Sequence, residues 1–243
     1  MGLAIAPVIV ILIFVYKKDK VEKEPLGLLL LLLVLGAISC APAAFFEGVG
    51  DEILLANLYN TDLEYIVLEN FLVIALAEEL CKFVFLRIAT WRNKNFNFFF
   101  DGIVYAVTVS LGFALLENIL YVWDGGFSVA LTRAVLSIPG HACFGVCMGI
   151  YYSEARYRRN YGMKIESRCY TFLALLLPIL MHGFYDFALS TDSWLMTIAF
   201  FIFVGVTDFG CIRKILKYSK SDKYIMRVAP QYMNLAAPGS TEE

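Results

Sequence analysis

Residues 26–44 run through nineteen positions without one charged side chain. At about 1.5 Å per residue, a helix of that length spans the hydrocarbon core of a bilayer. Inside lipid, a segment must satisfy its own backbone amides, so only helices and closed barrels cross. Similar apolar runs recur along the whole 243-residue chain. Charged residues make up 17% of it and hydrophobic ones 60%, where a soluble domain carries about a quarter charged. The fold class expected is therefore all-α, a polytopic transmembrane helical bundle. About seven spans are read, near 2–16, 26–44, 65–86, 102–122, 129–152, 170–188 and 193–212.

Basic residues between these runs alternate in a regular way. Lys17, Lys18, Lys20 and Lys23 follow the first run; Arg87, Arg92 and Lys94 follow the third. Arg156, Arg158, Arg159, Lys164 and Arg168 follow the fifth, and Arg213, Lys214, Lys217, Lys220, Lys223 and Arg227 follow the last. Segments 1–7, 45–64, 123–128 and 189–193 contain no lysine or arginine. The positive-inside rule then predicts an outside amino terminus and a cytoplasmic carboxyl terminus. No positive charge precedes the first apolar run, so a retained helix is expected there rather than a cleaved signal. The segment 45–64 is acidic and partly apolar, which suggests an interfacial helix. Residues 1–218 are expected to form the transmembrane domain and 219–243 a polar cytoplasmic tail, disordered by composition. The net charge of −2 and the lack of a basic domain give no sign of nucleic-acid binding. The six cysteines show no paired spacing in an exterior loop and are read as reduced thiols.

Several apolar runs carry side chains that lipid disfavours. Glu78, Glu79 and Lys82 share the third, Glu117 lies in the fourth, His141 in the fifth, and His182 and Asp186 in the sixth. Each has a structural explanation when taken alone. Glu78 and Lys82 are four residues apart and can pair on one helix face. Glu117 can be a protonated hydrogen-bond donor, His141 a packed imidazole, and His182–Asp186 a pair within one helix. Arg133, near the outer end of the fifth run, can pair with an acid or reach the interface. Taken together the residues are harder to explain. At about 2.5–3.5 kcal/mol each, six unpaired charges at mid-membrane would cost on the order of 15–20 kcal/mol. They must converge on each other, on water or on a metal. Helix rise puts Glu117, His141 and His182 at similar depth in the outer half, with Glu78 somewhat deeper. Asp101 and Asp208 fall at span ends and are read as interfacial.

A carboxylate with two imidazoles suits zinc with one position open, and a further buried glutamate suits general-base work. Such a centre hydrolyses peptides; a glutamate–histidine pair activating water without metal is the variant of the same chemistry. The main alternative is a proton- or ion-coupled transporter, in which the same groups relay protons. No inverted repeat or broken-helix pair supports it. A non-catalytic membrane scaffold is the remaining alternative.

The ordered set Glu78-Glu79-x-x-Lys82, Phe113-x-x-x-Glu117, His141 and His182-x-x-x-Asp186 closely resembles the PrsW family of bacterial intramembrane proteases, distantly similar to CAAX-protease and bacteriocin-processing membrane proteins. The lysine of the first motif and the glutamate of the second favour PrsW over the prenyl-protein enzymes. The resemblance implies a multi-pass protease of the bacterial cell membrane. It further implies site-1 cleavage of a membrane-anchored protein, an anti-sigma factor, during envelope stress. The roles expected are zinc binding by Glu117, His141 and His182 and general-base action by Glu78, with Glu79 second. Lys82 would balance the acids and Asp186 would orient His182.

Overall fold

A computed structural model describes residues 2–226, and the regular structure in it is helical. The helices are α1 (Gly2–Lys18), α2 (Leu26–Ile38), α3 (Cys40–Leu55), α4 (Leu63–Leu68), α5 (Ala75–Thr90), α6 (Phe99–Val135), α7 (Ser137–Asn160), α8 (Lys164–Ser190) and α9 (Trp194–Lys220). A π-helical turn, Glu69–Ile74, joins α4 to α5. Helix ends follow local chemistry. Lys17 and Lys18 occupy the last turn of α1, where cations complement the exposed carbonyls. The Asp101 carboxylate accepts from the amides of Phe98 (2.7 Å) and Asn97 (3.0 Å), closing the start of α6.

Burial decides which helix is central. Of the 18 residues that best fit a span within Phe99–Trp123 of α6, 89% are buried, against 11% for those within Trp194–Lys220 and 22% for those within Leu26–Leu55. Helix α6 is the axis: α1, α2 and α7 pack on it, α8 packs on α7, and α5 lies against α8 and α3. Glycines allow two of these approaches. A Cβ on Gly36 would lie 2.1 Å from the Val109 carbonyl oxygen, and one on Gly112 the same distance from that of Leu33, so the α2 and α6 backbones touch there. Gly149 meets the Gly102–Ile103 backbone of α6 in the same way. On the outer surface, Leu30, Val34, Phe201, Ile202, Val206 and Phe209 are exposed, an apolar belt suited to lipid.

Among the described residues, five stretches are long and apolar enough to cross a membrane: Leu26–Leu55, Phe99–Trp123, Gly125–Asn160, Lys164–Ser190 and Trp194–Lys220. Helix α1 is 17 residues long, and the α5 segment carries Glu78, Glu79 and Lys82, so neither reaches that standard. The segment 45–64 continues the second run as α3, after a break at Ser39 whose hydroxyl donates to the Gly36 carbonyl (2.6 Å). Helix α6 runs on to Val135 through a reversal at Gly126, whose φ of 69° favours glycine. Asp101, at the start of α6, is fully buried, because Asp19, Glu24 and Asp222 close over it. At the end of α9, Ser219 and Ile225 are buried against the bundle, while residues 227–243 of the expected tail lie outside the described residues. All six cysteines are free thiols.

Candidate active site

The π-helical turn Glu69–Ile74 comes immediately before α5, and Glu78 sits in the first turn of that helix. Such wide turns collect at functional sites. Beyond it α5 is enclosed, so that Ala75, Ala77, Glu78, Glu79, Cys81 and Lys82 are all buried. Lys82 is completely buried, and its ammonium group uses all three of its donors. They reach Glu78 Oε2 (2.9 Å), Glu79 Oε1 (2.8 Å) and His141 Nδ1 (3.1 Å). The same ammonium lies 4.0 Å from the centroid of the Phe113 ring.

The two histidines are held alike. His141, near the start of α7, places Nε2 3.0 Å from Glu117 Oε2 of α6. His182, near the end of α8, places Nε2 3.1 Å from Asp186 Oδ2, one turn on. In both rings a carboxylate accepts from Nε2–H, which leaves Nδ1 as the inward-facing acceptor; that of His141 takes the Lys82 ammonium. Carboxylate–imidazole pairs of this kind orient histidines towards a metal. Each ring is also braced by an aromatic side chain. Phe144 stacks on His182 at 4.9 Å and 24°, and Phe113 packs against His141 at 5.8 Å. Glu117 is held in turn by Arg133, whose Nη2 is 2.8 Å away. The Arg133 Nε donates to Asn118 (3.0 Å), and its guanidinium lies 4.1 Å from the Tyr121 ring centroid.

Glu78, Glu79, His141 and His182 each bring a ligand-type atom within 4.8 Å of the others. Three observations fit a metal at that point. Glu79 Oε2 is buried without a partner. His182 Nδ1 lies 3.0 Å from Glu79 Oε1; once Asp186 holds the other ring proton, two lone pairs face each other and need a proton or a cation between them. Four carboxylates (Glu78, Glu79, Glu117, Asp186) also meet two cations (Lys82, Arg133), and the excess of negative charge matches a divalent ion or protonated imidazoles.

A cavity of about 790 Å³ opens beside this centre. Glu78, Glu117, His141, His182 and Asp186 line it; Glu79, fully buried, does not. Tyr121, Arg133, Tyr185 and Ser190 continue the wall towards the end of the bundle opposite the basic segments, and Glu47 of α3 also lines it. All seven site residues expected from the sequence thus come together. Glu117 stands behind His141, in the place that Asp186 takes behind His182. Phe144, Tyr121 and Glu47 were not singled out from the sequence. The spacing of Phe144 three residues after His141, on one helix face, was the available signal. Nothing in the spacing points to Glu47 on the distant α3.

An acid–base centre enclosed by apolar helices and open to a sizeable cavity is the architecture of an intramembrane hydrolase. The model of a family described as the PrsW family intramembrane metalloprotease matches residues 24–207, and the chain belongs to that family. Among curated relatives, a "Protease PrsW" of Oceanobacillus iheyensis is 38% identical over 189 residues, 78% of this chain and 82% of the relative. One from Bacillus subtilis is 36% identical over 192 residues, covering 79% and 83%. One from Clostridioides difficile is 32% identical over 225 residues, covering 90% and 92%. No solved structure matches the chain significantly. The protein is a metalloprotease of a bacterial membrane, which it crosses several times.

Proposed function

We propose that this protease cuts a membrane-anchored protein close to the outer surface, making the site-1 cut in an anti-sigma factor under envelope stress. The observation that carries this reading is the cluster of Glu78, Glu79, His141 and His182, all but Glu79 lining a cavity that opens away from the basic end of the bundle. The alternation of basic segments supports seven spans, with the amino terminus outside and the carboxyl terminus in the cytoplasm. That orientation puts the cavity mouth, with Arg133 and Ser190, on the outer side.

Zinc is the metal we favour, because imidazole nitrogens and carboxylate oxygens make up the donor set. Glu79 and His182 would hold it, joined by His141 once its Nδ1 is released from the Lys82 ammonium, with Glu78 beside it on the cavity wall. When bound there, zinc acidifies water and polarises a carbonyl. Glu78 takes the proton from the attacking water and passes it to the leaving amine, since of the two glutamates it alone lines the cavity. Lys82 pairs with both α5 carboxylates and positions them. Glu117 and Asp186 fix the tautomers of His141 and His182. Glu117, expected from the sequence to be a ligand, takes this orienting role in the proposal.

The test combines elemental analysis of the purified protein with cleavage of a fluorogenic juxtamembrane peptide. Stoichiometric zinc, lost together with activity in His141→Ala and His182→Ala, is the expected result. Chelator-resistant cleavage by metal-free protein would replace the metal with glutamate–histidine activation of water. Full activity in both histidine variants would overturn the centre itself.

A further inference from the structure

A second acidic cluster lies at the basic end of the bundle, well away from the catalytic centre. Asp19 follows α1, Asp101 is in the first turn of α6, and Asp222 follows α9; one carboxylate oxygen from each lies within 4.8 Å of the others. Glu24, just before α2, joins them and accepts a hydrogen bond from the Tyr105 hydroxyl. Asp19 and Asp101 are completely buried and Glu24 nearly so.

The unpartnered atoms are the second, independent observation. Asp19 has no hydrogen-bond partner on either carboxylate oxygen although it is fully buried, and Asp101 Oδ1 and Asp222 Oδ2 are also buried without one. The opposite oxygens are used: Asp101 Oδ2 caps α6, and Asp222 Oδ1 accepts from the Phe100 amide (2.8 Å). Each of these two aspartates is thus fixed by one oxygen and leaves the other bare. Among the described residues, none of the four acids forms an ion pair with lysine or arginine. Lys23, the nearby cation, donates instead to the carbonyls of Tyr16 and Asp19. Burying acids without partners costs several kcal/mol per ion in a low-dielectric interior. Accordingly, burial pushes the carboxyl of Asp19 up to about 6 and that of Glu24 up to about 7.

We propose that Asp19, Asp101 and Asp222, with Glu24 behind them, bind one hard divalent cation of the Ca²⁺ or Mg²⁺ type. The donors are all oxygens, and hard cations take such sets where thiol- or imidazole-seeking metals do not. The bound ion ties together three parts of the chain that are far apart in sequence. It completes a clasp already formed by backbone bonds from Phe99 N to Lys223 O (2.9 Å) and from Ile225 N to Asn97 O (2.8 Å). Its role is structural, fastening the first helix and the segment after α9 to the start of the central helix.

Terbium luminescence tests the site, because Tyr105 is in place to sensitise an ion bound beside Glu24. The full chain, purified in detergent and stripped with chelator, is titrated with Tb³⁺ alone and then with Ca²⁺ or Mg²⁺. Saturable emission is expected, displaced by Ca²⁺ or Mg²⁺, retained in Glu78→Gln/His182→Ala and lost in Asp19→Asn/Asp222→Asn. Tyr105→Phe keeps the aspartates and should abolish the emission while leaving the cation-dependent rise in melting temperature. Emission that persists in both Asp19→Asn/Asp222→Asn and Tyr105→Phe would overturn the proposal. So would wild-type protein whose melting temperature ignores chelator and added cation. Should the double aspartate variant fail to fold, Tyr105→Phe and the chelator response decide the matter.

Discussion

At the residue scale, the two glutamates of α5 divide their work by exposure. Glu78 faces the cavity and Glu79 is sealed behind it, so their substitutions should separate. Glu78→Gln is expected to lower cleavage by about 10²–10⁴-fold, the usual worth of a general base, while leaving bound zinc in place. Elemental analysis and peptide cleavage on the same preparation check this. Glu117 offers a sharper distinction. If it orients His141 as Asp186 orients His182, then Glu117→Gln and Asp186→Asn should each weaken zinc binding by about 10–100-fold. A competition titration with a zinc chelator measures both; complete loss of metal in Glu117→Gln alone would make it a ligand. These seven side chains could be read from the sequence because ionisable groups in apolar runs stand out. Which of them touches which could not, because spacing along one helix does not fix its rotation against the next.

At the element scale, helix contacts in this bundle rest on bare backbone. A methyl group on Gly36 would fall 2.1 Å from the Val109 carbonyl oxygen, an atom that moves only if α6 moves. Gly36→Ala is expected to destabilise the protein by about 1–3 kcal/mol, the range for overpacked cores. Gly205→Ala in α9 meets nothing within 4 Å and should be neutral or stabilising, which thermal unfolding in one detergent would show. Element boundaries were legible only in part. The apolar runs gave the major helices, because lipid demands length. The reversal at Gly126 falls within 123–128, the gap read between two apolar runs, whereas the break at Ser39 lies inside the run 26–44, where no charge announces it.

At the scale of the whole molecule, the orientation proposed from charge can be tested on a thiol that the chain already has. Cys169 is exposed near the start of α8, beside Lys164 and Arg168, whereas Cys81, Cys143, Cys147 and Cys211 are buried. In a Cys40→Ser background, a membrane-impermeant maleimide should label Cys169 only after cells are permeabilised. Labelling of intact cells would reverse the topology and place the cavity mouth in the cytoplasm. The acid clasp marks the limit of what sequence reveals at this scale. Asp101 looks like an ordinary helix-end aspartate until the fold brings residues 19 and 222 to it.

The proposed catalytic centre draws on α5, α6, α7 and α8, from Glu78 to Asp186. A ribosome inserting this chain therefore makes Glu78 long before it makes His182 and Asp186. The growing polypeptide passes through the translocation machinery, among many other half-folded membrane proteins, with its cutting parts unassembled. Latency during biogenesis is thus a property of the order of the helices, and no inhibitory propeptide is required to supply it.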